Sequence, residues 1–482
     1  MAITFWDYNV WSPLVQFGTI CMFLIVANMM RRKIPFLRNT LIPTAVIGGF
    51  LALAMRSLGW LDFISMSMLS GLTYHAIVIG FIAISLKQKY GKNIDLMKAD
   101  RATIRDGANT GATIISSYLI QGIVGLGVTM LFAALVYDWL FPAGGLLLSI
   151  AYGQGPGQAN NFGAIYEGHG FTGGHSFAMS LVSIGFLVSS LVTVTYINIL
   201  KRRGKLKVRA TETPITQLTE DPNPEDEMPL SEPVDRLTMN ISVIMFIFMI
   251  TFGFLFGINH IFIESGVLGD FGVNTLRPVL FGFNFMFGIL FAFVYKRIFV
   301  ALKRRGYIKH EYTNNQTLNR IGGTMFDFMI IAGIILIDVA VLAELLPLII
   351  ILAVLGAAVT FFYIRFAAKH LAKGYETEHF VAMYAMMTGT ISCGMGLLRI
   401  VDPQYKTKAS DNLVLGSSFA LAMGFPFMFL LTLAPYQPLL TWILLVVAFL
   451  GVNAILFRKV LFRRRATPIA PIPEKIDEPN PE

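Results

Sequence analysis

Ser149-Ile150-Ala151-Tyr152-Gly153-Gln154-Gly155-Pro156-Gly157-Gln158-Ala159-Asn160-Asn161 is the stretch on which the fold turns. It opens as an apolar helix would. It then sets three glycines, a proline and four amide side chains into a segment, 141–170, that is otherwise apolar enough for a membrane. The runs on either side, 107–136 and 174–200, each exceed the roughly 20 apolar residues that a spanning helix needs. Broken backbone at membrane depth leaves N–H and C=O groups without partners, and it survives only where protein, water or a ligand supplies them.

Charge decides whether this segment crosses or returns. Further apolar runs lie at 11–30, 40–59, 64–85, 238–263, 276–299, 321–342, 346–366, 412–434 and 439–457, and a second interrupted one at 379–401. If both interrupted segments crossed, the block Lys201, Arg202, Arg203, Lys205, Lys207, Arg209 would face away from Lys87, Lys89, Lys92 and Lys98, against the positive-inside rule. If both return, the basic loops 31–38, 87–105, 201–209, 296–309, 365–373 and 458–465 share one side, and only Arg56 and Arg277 face the other. The expectation is two re-entrant hairpins, the first entering from outside and the second from the cytoplasm. The N-terminus is then outside and the C-terminus cytoplasmic.

Composition agrees. Of 482 residues 55% are hydrophobic and 14% charged, whereas soluble domains carry about 25% charged residues. This excludes a disordered chain, a disulfide scaffold and an ordinary soluble enzyme. The net charge of +9 belongs to basic loops at a membrane rather than to nucleic-acid binding. Cys21 and Cys393 are far apart and suggest neither a zinc site nor an obligatory disulfide. Asp7 precedes the first apolar run and Arg31-Arg32-Lys33 follows it, the reverse of a signal peptide.

The hairpins fall at matching places in two halves of opposite orientation. The second helix of each half opens with a proline, Pro43 or Pro278, followed by small residues. Identity between the halves is weak, so the repeat rests on hydropathy and topology. The chain divides into an N-terminal repeat, 1–200, a polar linker, 201–237, an inverted repeat, 238–434, an additional helix with a basic end, 435–465, and a polar tail, 466–482. The fold class is an all-α polytopic membrane protein with about eleven transmembrane helices, in the inverted-repeat pattern of secondary transporters.

The candidate site lies at the hairpin tips. Gln154, Gly155, Gly157, Gln158, Asn160 and Asn161 offer amides and close backbone approach to an anionic substrate, with Arg399 of the second hairpin for a carboxylate. Thr388, Thr390 and Ser392 offer hard oxygens to a small cation, with Asp327 as a further candidate because ionisable residues are costly inside a membrane. Each has a structural alternative. Arg399 can pair with Asp402 or reach the inner surface, and Asp327 and Asp338 can serve structural pairs. Gln121 and Asn284 read first as interhelical hydrogen-bond partners, His75 as a packed histidine, and Gly48, Gly49 and Gly111 as helix-packing positions. Glu167, His169 and His175 match no strong zinc pattern. No hydrolase elbow, zinc-protease motif or phosphate loop is present, and the loops are too short for an ATPase domain. The energy source expected is an ion gradient, with no enzyme activity and no organic cofactor.

The chain resembles the bacterial sodium/glutamate symporter family over almost its whole length. The similar features are Ile42-Pro43-Thr44-Ala45-Val46-Ile47-Gly48-Gly49, Gln121-Gly122-Ile123-Val124-Gly125-Leu126-Gly127, Ser149-Ile150 with Gly153 to Gly157, Thr388-Gly389-Thr390, Gly394, Leu397-Leu398-Arg399 and Asp402-Pro403. Typical glutamate carriers have Gly-His-Gly-Thr at the first tip, where this chain has Gly155-Pro156-Gly157-Gln158. The C-terminal helix is additional, as in a divergent branch. The resemblance implies sodium-driven uptake of glutamate or a related dicarboxylate across the bacterial inner membrane. The partners expected are a small anion, sodium and lipid, with no nucleic acid and a homodimer allowed for. The rival readings are a proton-coupled carrier or exporter of another organic anion and, from a different class, an ion channel or membrane sensor.

Overall fold

The computed structural model describes residues 6–35, 37, 42–87, 101–204, 236–269, 272–307, 314–403 and 405–458. Most of the linker and the whole polar tail lie outside them. Every regular element among the described residues is helical. The first half has α1 (Tyr8–Lys33), α2 (Thr44–Ser57), α3 (Met66–Leu86), α4 (Arg101–Leu135), α5 (Leu147–Gly153), α6 (Pro156–Gly168) and α7 (Gly174–Arg202). The second half begins with α8 (Arg236–Ile258), α9 (Arg277–Gly282), α10 (Asn284–Arg304), α11 (Asn315–Ile335) and α12 (Val339–Leu371). It continues with α13 (Glu376–Thr388), α14 (Ile391–Val401), α15 (Ala409–Met423), α16 (Phe425–Leu433) and α17 (Pro438–Leu456).

Nine helices among the described residues are long and apolar enough to cross a bilayer, so the protein is a multi-pass membrane protein. Two of the expected spans are missing from that set for local reasons. The second expected span is realised in α2, only 14 residues long. The run at 412–434 is split into α15 and α16, with Pro426 at the start of α16. Proline has no N–H to give and its ring crowds the preceding turn.

The basic helix ends gather at one end of the molecule. Lys296 Nζ donates to Ser85 O and Lys87 O, covering the C-terminal carbonyls of α3. Lys87 Nζ donates to Asn319 Oδ1, Lys408 pairs with Asp106, and Arg365 donates to Tyr196. At the opposite end, Arg56 donates to Ile335 O and Asp338 N donates to Ser176 Oγ.

Two bundles form, each drawing on both halves of the chain. In the first, α11 packs on α2 and α3, α10 on α3 and α8, and α1 on α2. In the second, α4 packs on α15, α12 and α17, and α7 packs on α6 and α12. Small residues set the close approaches, as expected where van der Waals contact drives helix association. Gly48 faces Phe23 O and Ile331, and Gly49 faces Ile334. Gly111 sits against Gly416 and Phe419. The additional helix α17 is clamped to the second bundle by Trp442 Nε1 donating to Ile123 O at 3.0 Å. Asn453 adds bonds to Ser116 Oγ and Tyr363 Oη at 2.9 and 3.0 Å.

Candidate functional site

The first broken segment runs through a 3₁₀ turn, Pro142–Leu146, then α5 and α6. The break falls at Gln154-Gly155. Gly155 has φ +88°, a conformation that favours glycine, and Pro156 cannot bond back into α5 but suits the first turn of α6. The segment finishes where it began, with the Phe141 and Phe171 rings stacked at 5.2 Å. Its entry is pressed against α4 so closely that a Cβ on Gly125 or Gly145 would overlap the other's carbonyl oxygen. Thr129 Oγ1 there donates to Pro142 O at 2.7 Å and accepts from Gly145 N at 3.1 Å.

The second segment is α13, a break at Gly389-Thr390, and α14. Its arms lie side by side, with Gly394 against Ala382 and Met386. Beyond it, Asn412 Nδ2 of α15 donates to Tyr375 Oη, just before α13, at 2.8 Å.

The two breaks meet. A Cβ placed on Gly155 would lie 3.3 Å from Thr390 Cγ2 and 3.9 Å from Gly389 O. Helices α5 and α13 pack together, so two helix C-termini and, beyond the breaks, two helix N-termini converge in the interior. The first N-H groups of α6 and α14 and the last carbonyls of α5 and α13 have no partner within their own helices.

The first hairpin brings its expected residues into this interior. Gln158 is 3% exposed, and neither end of its amide has a hydrogen-bond partner among the described residues. Asn160 is buried beside it in sequence. Gln154 Nε2 lies 3.9 Å from Met428 Sδ. Asn161 has a different task, donating to Gly282 O at 3.2 Å. That carbonyl is freed by the break between α9 and α10, as is Phe281 O, which accepts from Tyr74 Oη at 2.8 Å. Gly157 sits against Ile77 and Met329. Through these contacts α6 joins the second bundle to α3 and α11 of the first, and also meets α9.

The second hairpin is arranged otherwise. Thr388 is buried, but its hydroxyl donates to Tyr384 O at 2.9 Å inside its own helix. Thr390 Oγ1 points at Cys393 Sγ, 3.5 Å away. Ser392 is exposed, on one stripe of α14 with Ile391, Met395, Gly396 and Arg399 that is not buried. Arg399 stands nine positions past the tip, about 13 Å along a helix. It donates from Nε to Tyr405 Oη at 2.5 Å, with its guanidinium over the Tyr405 ring. The Asp402 carboxylate accepts from Lys406 N, Thr407 N and Thr407 Oγ1. The structure therefore does not bring Arg399 to the amides of the first tip.

Asp327 lies two residues from Met329, which touches Gly157 of the first tip. It is exposed on α11, within electrostatic reach of Arg31. Asp338 is the cap of α12, its Oδ1 accepting from Ala340 N. His75 packs edge-on against Tyr74 and Phe248 in an apolar cavity of about 470 Å³ between α3, α8 and α10.

Gln121 is the interhelical hydrogen-bond partner that its mid-span position suggests, and Thr360 meets it. Gln121 Nε2 donates to Thr360 Oγ1 at 2.8 Å and to Met387 O at 2.9 Å, next to the second break. Thr360 had one signal, as the only Thr or Ser in the apolar run 346–366. Comparison with protein-family models, with curated proteins and with solved structures finds no match to this chain.

Proposed function

We propose that the protein is a sodium-coupled symporter of glutamate or a related dicarboxylate, working by alternating access. In this reading the two broken segments are opposed re-entrant hairpins of an inverted repeat. The basic end is cytoplasmic, and the site is the meeting point of the two tips. The observation that carries it is the buried Gln158 amide, unpartnered at both ends, beside helix N-termini that converge. Unmet N–H donors and the positive end of the helix dipole suit a carboxylate. A side chain that can both donate and accept suits a ligand carrying several polar groups.

The exposed stripe of α14 supplies the pathway. Arg399 and Ser392 on that stripe would be costly against hydrocarbon, so the stripe borders water that enters from the basic end. The first hairpin is sealed by contact with the other bundle. The conformation is then closed to the outside and open to the cytoplasm, one of the two states that alternating access requires.

Purified protein in liposomes should take up labelled glutamate in a saturable way, faster with an inward sodium gradient, and should support counterflow. Flux that neither saturates nor counterflows indicates a channel. Uptake indifferent to sodium but driven by a pH gradient indicates the proton-coupled carrier. Topology has its own check. Cysteines at Trp139 and Thr172 should both react with an impermeant reagent outside intact cells, and those at Glu376 and Lys406 only from the cytoplasm. Opposite-side labelling within either pair removes that hairpin.

A further inference from the structure

We infer that the coupling cation is held at the C-terminal end of α13, by oxygens of Gln121, Thr360 and the Met387 main chain. The inference rests on the symport reading and moves its cation away from Thr390 and Ser392.

Helix α13 stops at the tip, so its last carbonyls lack intrahelical partners and carry the negative end of its dipole. Side chains from neighbouring helices meet them. Ser189 Oγ donates to Ala385 O at 2.9 Å, and Gln121 Nε2 donates to Met387 O at 2.9 Å and to Thr360 Oγ1 at 2.8 Å. The other end of that amide is unmatched. Gln121 is fully buried and its Oε1 has no hydrogen-bond partner among the described residues. A buried acceptor without a donor is costly.

The two ends of a glutamine amide have nearly the same shape. Turned over, Gln121 would leave Nε2 as the unmatched end and place Oε1 beside Met387 O and Thr360 Oγ1, three oxygens about one point. Two of them, Oε1 and the carbonyl, can only accept. Such a cluster is repulsive when empty and is held together by a cation. The donors are hard and uncharged, which suits a monovalent ion of sodium's kind. Divalent ions of this class draw on carboxylates. The hydroxyl of Thr388, by contrast, is already engaged with Tyr384 O, and Ser392 is exposed.

The position also explains coupling. Met387 lies two residues before Gly389, and Gly389 and Thr390 touch Gly155 of the other tip. A cation that fixes Met387 fixes the surface on which the anion binds, and linkage makes the effect mutual.

The test measures thermal unfolding of purified protein in sodium against potassium chloride at equal ionic strength, without substrate, alongside sodium dependence of uptake in liposomes. Wild type should gain Tm in sodium. Gln121→Leu and Thr360→Val should lose that gain and need about tenfold or more sodium for half-maximal uptake. Gln121→Glu separates ligand from scaffold. It keeps the oxygens but, when ionised, cannot donate to Met387 O, so a ligand role predicts a retained sodium response. A purely structural role predicts that Glu behaves as Leu. A wild-type sodium response in Gln121→Leu, or Glu behaving as Leu, overturns the inference while sodium-driven uptake leaves the symport reading standing. A sodium gain in Tm that Gln121→Leu abolishes, in a protein without sodium-driven flux, supports the site and removes the symport reading. No sodium effect on wild type in either assay overturns both.

Discussion

The two hairpins share a plan and differ in what covers them. Each is a pair of short helices broken at a glycine, with its two arms packed against each other. The first is walled in. Gln158, Asn160 and Asn161 are buried, and α6 lies against α3 and α11 of the other bundle and against α9. The second packs only one side of α14, through Cys393, Gly394, Leu397, Leu398 and Val401, and leaves the other open. Similar backbone devices therefore serve different ends. The first hairpin binds two bundles together and buries an amide without partners, while the second leaves unburied a mixed stripe that carries Ser392 and Arg399. In the proposed cycle the first is the closed gate of this conformation and the second the open one.

The strongest test of this contrast places valine at one glycine of each hairpin. At Gly157 the added atoms collide with Ile77 and Met329, and overpacking of this kind costs about 1–3 kcal/mol. Gly157→Val should lower Tm and abolish uptake. At Gly396 nothing lies within 4 Å of a new Cβ, so Gly396→Val should unfold at the wild-type temperature. Equal Tm values for the pair would end the distinction between a walled and an open hairpin.

Next comes Gln158→Leu. A hydrogen bond to a charged group is worth about 1.5–3 kcal/mol, roughly 10- to 150-fold in affinity. The variant should bind substrate more weakly by about that factor. Its Tm should hold or rise, because an unsatisfied buried amide has been replaced by an apolar side chain. A fall in Tm with unchanged substrate affinity would make Gln158 a packing residue.

Accessibility sharpens the comparison further. On a background lacking Cys21 and Cys393, a cysteine at Ser392 should react readily with an impermeant reagent supplied at the basic end. One at Asn160 should react much more slowly from either side. Fast reaction at Asn160 from outside would mean that the closed gate is not closed.

The smallest effect is expected at Arg399. Its guanidinium is held over Tyr405, outside the meeting of the tips, and an exposed contact of that sort is worth about 0.5–1 kcal/mol. Arg399→Gln should leave substrate affinity within about fivefold of wild type. A loss as large as that of Gln158→Leu would return Arg399 to the substrate.

The break around Gly155 was legible, and so was the interruption of the second segment, because glycine and proline act through their own backbone, whatever surrounds them. The clustering of basic helix ends was legible from the spacing of Lys and Arg between apolar runs. The roles of individual polar side chains were not. Gln158 and Asn161 are three residues apart in one helix, yet Asn161 is spent on Gly282 O and Gln158 is left unpartnered. That outcome depends on a break in a helix more than a hundred positions away. Arg399 reads as a site residue from its place in the interrupted segment, and the rise of α14 carries it away from the tip.

The sequence by itself determined a helical, multi-pass chain, which two segments are interrupted, and where positive charge falls between the apolar runs. Those follow from local hydropathy, from the conformational limits of glycine and proline, and from the cost of moving charge into hydrocarbon. Only the tertiary structure decided that helices from both halves mix in each bundle, that the two breaks touch, and that Gln121 meets Thr360 and Met387. These depend on contacts between residues hundreds of positions apart, set by how small and large side chains fit across helix faces. No single segment carries that information.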